Sequence, residues 1–206
     1  MAVEVFNFEQ GTPEWYEARR GIPTASMFDV IVKQDGTARK SQQRTTYMNE
    51  LAGEIITEAP APSFTSKATD GGHEMEPEAR ELYTFITGQT VEQVGFIRNG
   101  DVGYSPDGLI GEKGALEIKL KAPKFSVGLI ASDEFPADHK AQCQGGLLVS
   151  EREWIDIAVY WPNLPLFRKR AYRDEKYLSN LEAALVEFNT ELAELVEKVR
   201  AYGMAA

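Results

Sequence analysis

The sequence predicts an α/β protein with a mixed central sheet flanked by helices, and three observations carry that prediction. Apolar residues recur at helical spacing up to about residue 88, change to the two-residue period of strands between 91 and 172, and return to helical spacing from about 175. Turn-forming pairs, Asn99-Gly100 and Asp107-Gly108, punctuate the middle region. The 206 residues, 43% of them apolar, are enough to bury one sizeable core, and the chain reads as a single domain (1–206). Its parts are a helical N-terminal portion (about 13–88), a sheet-containing core (about 91–172) and a C-terminal helix (about 175–202).

Two short helices come first, 13–20 opened by Pro13 and 24–33 capped by Thr24 or Ser26, with Gly21 and Pro23 between them. Lys33 to Gln42 is polar and aperiodic and reads as a loop. Tyr47, Met48, Leu51 and Ile55 share a face of the next helix, which starts near Gln43 and stops at Pro60-Ala61-Pro62. A further helix is expected from about Thr69 to Thr87, with Met75, Ala79, Leu82 and Ile86 on one face and Gly88 as its stop; Pro77 calls for a kink or a later start. Strands are expected at 91–98, 102–110, 114–121, 153–161 and 166–172, with one apolar helical stretch ending near Val149 between the third and fourth.

The net charge of -10 argues against a protein that coats nucleic acid by bulk electrostatics, so any DNA contact has to be local. Residues 174–206 carry seven Asp/Glu against three Lys/Arg, whereas Lys33 to Arg44 holds four Lys/Arg and only Asp35 against them. A basic surface on one side and an acidic helix on the other is the expected arrangement. The N-terminus does not read as a signal peptide, and no uncharged apolar run approaches the roughly 20 residues that cross a bilayer. A single cysteine, Cys143, and two histidines provide neither an internal disulfide nor a four-ligand zinc site, so the expected compartment is the reducing cytoplasm. His139 and Cys143, one helical turn apart, read as neighbours on a helix face, not as a metal or thiol–base pair.

Chemistry concentrates between Ser105 and Lys121. Along Gly114 to Lys121, Leu116, Ile118 and Leu120 fall on one face of a strand and Glu117, Lys119 and Lys121 on the other. A short turn at 111–114 folds this strand back towards Ser105-Pro106-Asp107-Gly108 and brings Asp107 towards Glu117. Two carboxylates held that close call for a divalent cation, and Mg2+ suits a site of few carboxylates and retained waters. Lys119 beside it can position or deprotonate an attacking water, or stabilise developing negative charge. Taken alone, Ser-Pro-Asp-Gly is also a good turn, and alternating Glu and Lys suits any half-exposed strand. Glu76 on the preceding helix is a candidate third carboxylate. Gln142, on the helix after the Glu117 strand, otherwise reads as a surface or core amide.

Taken in order, these pieces resemble the lambda-type alkaline exonucleases, or YqaJ-like viral recombinases, of the restriction-endonuclease-like PD-(D/E)xK superfamily. The pieces are Trp15 to Gly21 with Thr24-Ala25-Ser26, Glu76 with Glu78-Ala79-Arg80, Ser105 to Gly108, Glu117-Ile118-Lys119, and Ala141-Gln142. The resemblance implies a restriction-endonuclease-like core. It implies Asp107, Glu117 and the backbone carbonyl of Ile118 as metal ligands, Lys119 serving the attacking water, and Glu76 completing the site. It makes Arg19, Ser26, Ser105 and Gln142 binders of the 5′-phosphate, through charged and neutral donors. Read without the resemblance, Arg19 is a surface charge and Ser26 a helix cap.

The implied activity is Mg2+-dependent 5′-to-3′ digestion of one strand of linear double-stranded DNA to mononucleotides, with Mn2+ as an alternative ion. It leaves a 3′ overhang for a single-strand annealing protein. A ring-shaped homotrimer is implied too, and it would reconcile an acidic chain with DNA binding if the basic Lys33 to Arg44 segment faces its channel. The sequence departs from the lambda enzyme after Lys119, where Leu120-Lys121-Ala122-Pro123 suggests a longer strand, and at His139, which stands where that enzyme has tyrosine. The competing readings are an endonuclease or 3′-end-processing nuclease of the same fold, a catalytically inactive DNA-binding ring, and an interaction protein whose acidic C-terminal helix binds a partner, which need not exclude the nuclease.

Overall fold

The computed structural model describes residues 2–61 and 67–202. Strand β1 (Glu4–Phe6) leads into helix α1 (Pro13–Arg19), where the Thr12 hydroxyl accepts from the Trp15 N–H and Pro13 occupies the first turn. A single 3-10 turn at Ala25–Met27 runs into the short α2 (Phe28–Ile31), and α3 (Gln42–Thr57) follows, capped by the Ser41 hydroxyl. α3 stops one residue before Glu58, which adopts a left-handed conformation (φ 53°), so the helix has ended before Pro60. Pro62 lies outside the described residues.

α4 (Lys67–Thr87) starts earlier than expected and continues through Pro77, which has no N–H to donate to the carbonyl of residue 73. Its buried stripe runs through Ala79 and Tyr83, which face Leu116, Ile118 and Ala158 of the sheet, with Met75 and Leu82 partly buried. Ile86 was expected in that stripe but is 52% exposed, because the stripe turns through Tyr83 and leaves the last helical turn free. Gly88, at φ +67°, terminates the helix as expected.

The strands form two sheets. β1, β3 (Phe96–Asn99) and β4 (Val102–Tyr104) make a small one in the order β1-β3-β4. β2 (Val91–Glu92), β5 (Gly108–Ile110), β6 (Gly114–Leu120), β7 (Trp154–Tyr160) and β8 (Phe167–Tyr172) make a five-stranded one in that order, with β6 and β7 parallel and the other pairs antiparallel. The mixed central sheet is thus present, but the expected strands 91–98 and 102–110 each split in two and serve both sheets. Gly95 and Pro106 mark the breaks. A Cβ at Gly95 would lie 2.1 Å from the Phe8 carbonyl, and Pro106 has no N–H to give a ladder. Gly108 is correspondingly not a turn residue but the first residue of β5, packed so closely that a Cβ there would meet Val91 at 2.2 Å. β1 is too short to be read from periodicity; it registers Glu4 on Arg98 and Phe6 on Phe96.

The single helix expected after β6 is two, α5 (Pro123–Ser132) and α6 (Lys140–Ser150), separated by the left-handed Asp133 (φ 52°) and by Pro136. β6 ends at Leu120, as Pro123 opens α5, so the strand is not lengthened. α6 covers one face of the large sheet with Ala115, Ile155 and Ile157, the long α7 (Glu175–Tyr202) packs on α6 and α3, and α4 covers the other face.

The expected separation of a basic surface from the acidic helix does not occur. α3 packs on α7, and Lys40 reaches Glu187 (2.5 Å) and Glu191 (2.7 Å) while the buried Arg44 reaches Glu191 at 2.6 Å. Two of the four cations between Lys33 and Arg44 are spent against α7. No helix among the described residues is long and apolar enough to cross a membrane.

Candidate active site

β6 presents the candidate residues together because its two faces differ. Leu116 and Ile118 pack under α4, which turns Glu117 and Lys119 towards α6 and the small sheet. Glu117 is 2% exposed and fully engaged: Lys119 donates to Oε1 at 2.8 Å, the Gln142 amide donates to the same oxygen, and the Tyr104 hydroxyl donates to Oε2 at 3.2 Å. The antiparallel β5–β6 pairing, Gly108 opposite Leu116, brings Asp107 alongside. Its Oδ2 accepts from the Ile118 N–H at 2.5 Å. A strand residue presents its N–H and C=O on the same edge, so the Ile118 carbonyl also faces the side where Asp107 stands.

These charges are short of compensation. Burial, then the charges of Glu117 and Glu76, push the Asp107 carboxyl well above the usual carboxylate range, against the opposing pull of Lys119 and the Ile118 N–H. Burial would lower Lys119, but Glu117 and Asp107 outweigh it and hold the ammonium charged. Glu76 is near enough for Asp107 to feel its charge, yet its carboxylate is bonded to Arg80, whose Nε donates to the Asp107 carbonyl at 3.1 Å. No group of three His, Cys, Asp or Glu side chains is gathered at ligand spacing among the described residues. The donors for a cation are therefore two carboxylates and a carbonyl edge, and water would supply the rest.

A second group lies two residues before Asp107. Arg19 donates to the Ser105 hydroxyl at 2.8 Å and stacks 4.0 Å over the Trp15 ring, while the Trp15 indole N–H reaches the same hydroxyl at 3.0 Å. Ser26 joins through Thr24: Arg19 lies 3.5 Å from the Thr24 hydroxyl, which is 3.3 Å from that of Ser26. Arg19, Ser105 and Ser26 are brought together; Gln142, expected with them, sits on Glu117.

Sequence reasoning gave no role to Tyr104, Trp15 or Arg80. The i,i+4 spacings Trp15/Arg19 and Glu76/Arg80 are the signal that could have found two of them. Nothing in the sequence marks Tyr104, whose partner comes from another sheet. His139 is neutral near pH 7, pushed to about 4 by burial and by Lys119. The Cys143 thiol is buried and pushed up by that burial and by Glu117, so it is no nucleophile.

A mixed sheet whose central strand carries a glutamate–lysine pair beside an aspartate is the arrangement expected of the restriction-endonuclease-like fold. The profile of the YqaJ-like viral recombinase domain matches residues 14–153, and the chain belongs to that family. It is similar over 95% of its length to all of LHK-Exo solved in complex with dAMP, at 30% identity and a TM-score of 0.85. The alkaline exonuclease LHK-Exo from Laribacter hongkongensis aligns with 94% of this chain and 98% of its own, at 28% identity and a TM-score of 0.83. A phage-related exonuclease from Haemophilus somnus 129PT shares the fold, with 12% identity, a TM-score of 0.65 and coverage of 86% and 96%. No curated protein sequence matches the chain.

Proposed function

We propose that this nuclease is a Mg2+-dependent exonuclease that digests one strand of linear double-stranded DNA from its 5′ end to mononucleotides. The observation that carries the reading is the adjacency of two groups on one short stretch: Ser105, bonded to Arg19, and Asp107, facing Glu117 and Lys119. A terminal phosphate held by Arg19, Ser105 and Ser26 sets the next phosphodiester near the carboxylates, which favours removal of one nucleotide at a time. The similar LHK-Exo was solved with dAMP, a nucleoside monophosphate, in agreement with such a product.

Asp107, Glu117 and the Ile118 carbonyl would hold the Mg2+, with Mn2+ as the alternative ion, and the donor set suits an oxygen-seeking cation. When bound, the ion polarises the phosphodiester and acidifies water. Lys119 orients the attacking water and offsets negative charge on the phosphate. Gln142 and Tyr104 fix the Glu117 carboxylate, and Glu76 acts with Arg80 on the position of Asp107. A homotrimeric ring around DNA, and a single-strand annealing protein that takes up the 3′ overhang, complete the proposal.

The test is purified protein with end-labelled linear duplex, with and without Mg2+, beside a closed circle. Release of labelled mononucleotide from 5′-phosphorylated ends, stopped by chelation, is expected. Nicking of the closed circle at a comparable rate would instead make the protein an endonuclease.

A further inference from the structure

The Arg19 group lines a cavity of about 270 Å³ that also holds two glutamates. Arg19, Thr24 and Ser26 line one part of it; Glu50 and Glu54, one turn apart on α3, line another, beside Pro60 and Ala61. None of Glu76, Asp107, Glu117 or Lys119 lines this cavity, although Arg19 bonds Ser105 two residues from Asp107. Arg19 therefore stands between the carboxylate centre and the cavity. A strand with one phosphate on Arg19 and the next over Asp107 would, if it continued in the 5′ direction, continue into this cavity and meet its glutamates.

The two glutamates differ in what holds them. Glu54 is fixed in place, its Oε2 accepting from the Gly21 N–H at 2.7 Å and its Oε1 from the Ala61 N–H at 2.8 Å. It is near enough to Arg19 for its charge to support the guanidinium against burial. Glu50 is an exposed side chain with no ion pair or hydrogen bond among the described residues, and partial desolvation together with Glu54 pushes its carboxyl up. An unneutralised carboxylate beside an anion-binding group does not help to bind a phosphate. It does penalise any further anionic group behind that phosphate.

We propose that Glu50, backed by Glu54, is a specificity determinant that makes the Arg19 cavity an electrostatic stop for terminal monophosphates and rejects anionic chain extending 5′ of them. The inference rests on the assignment of Arg19 and Ser105 to the 5′-phosphate. The stop would keep the register of cleavage at one nucleotide, because an internal phosphodiester on Arg19 drives the preceding phosphate against Glu50. A 5′-triphosphate end is the simplest probe, since it adds two phosphates to the same nucleotide. A carboxylate facing that tail across a half-solvated space is worth on the order of tenfold in relative rate at low salt.

The experiment measures first-turnover release from one duplex carrying a 5′-monophosphate, 5′-triphosphate or 5′-hydroxyl end, for the parent, Glu50→Gln and Glu50→Lys. The parent should prefer monophosphate over triphosphate, Glu50→Gln should narrow that gap by about three- to tenfold, Glu50→Lys should narrow it further, and added salt should narrow it in the parent. A gap unchanged in both variants, or unaffected by salt in the parent, overturns the stop; so does a parent that shows no gap while still preferring monophosphate over hydroxyl. If the parent treats monophosphate and hydroxyl ends alike, the phosphate assignment of Arg19 fails and the stop falls with it.

Discussion

Replacing Arg80 by methionine should slow cleavage far more than it destabilises the fold. Arg80 is 13% exposed and joins two backbone-distant points, the Glu76 carboxylate one turn earlier on α4 and the Asp107 carbonyl at the start of β5. Methionine keeps most of the buried stem and removes two hydrogen bonds from a charged donor, one to a carboxylate and one to a main-chain carbonyl. A hydrogen bond that involves a charged group is worth about 1.5–3 kcal/mol net where water cannot replace it. Glu76 keeps 28% exposure, so water can replace the guanidinium there, and the loss should be about 1–2 kcal/mol, visible as a fall in Tm of roughly 3–6 °C. Asp107, however, loses the anchor on its main chain, and a displacement on the order of 1 Å at a reacting centre costs about 100-fold. Arg80→Lys should recover part of the stability but little of the rate, because an ammonium cannot span both partners. Tyr83→Phe, which removes a 2.6 Å bond to Asp156 further along the same helix, should lower stability and leave the rate nearly intact. Urea unfolding and single-turnover cleavage at saturating metal provide both readings. Arg80→Met cleaving within about threefold of the parent would refute the positioning argument.

Other perturbations separate binding from chemistry. Glu117→Ala should lose metal affinity and activity together, whereas Lys119→Ala should keep metal and DNA binding while hydrolysis slows by about 100-fold or more; calorimetric titration of Mg2+ or Mn2+ beside single-turnover cleavage distinguishes them. Arg19→Ala should reduce the preference for 5′-phosphorylated over 5′-hydroxyl ends more than it reduces the rate on the hydroxyl end, and an unchanged preference would count against its role. The Lys40 and Arg44 contacts lower the Glu191 carboxyl to about 2. A lowered acid stabilises above its unfolded value, so the advantage of the parent over Glu191→Gln should be complete above pH 4.5 and disappear as pH falls towards 2. With Glu191 one-third exposed, that advantage should be no more than about 1 kcal/mol, measured as the difference in urea midpoints across pH.

Legibility from sequence followed the range of the forces involved. The helices were readable because amphipathic spacing is local: α7 spans the expected 175–202, and Gly88 ends α4. The facing of Glu117 and Lys119 was readable because strand alternation is fixed by the pleat, and the Asp107 approach because the 111–114 turn is short. The division into two sheets was not readable, since Gly95 and Pro106 matter through Phe8 and through ladder partners far along the chain. The same holds for Arg44, which sequence assigns to a basic surface and packing assigns to Glu191. The amide of Gln142 is equally ambiguous until α6 has docked and chosen Glu117 as its partner.

The division of one segment between two sheets gives the site an unusual sensitivity. Ser105 and Asp107 flank Pro106 at the seam, with Tyr104 behind them in the small sheet and Gly108 ahead of them in the large one. The spacing between the Ser105 hydroxyl and the carboxylate pair is therefore a gauge of how the sheets are aligned. Substitutions under β1 or β3, remote from any substrate, should register as misplaced cleavage before they register as lost folding.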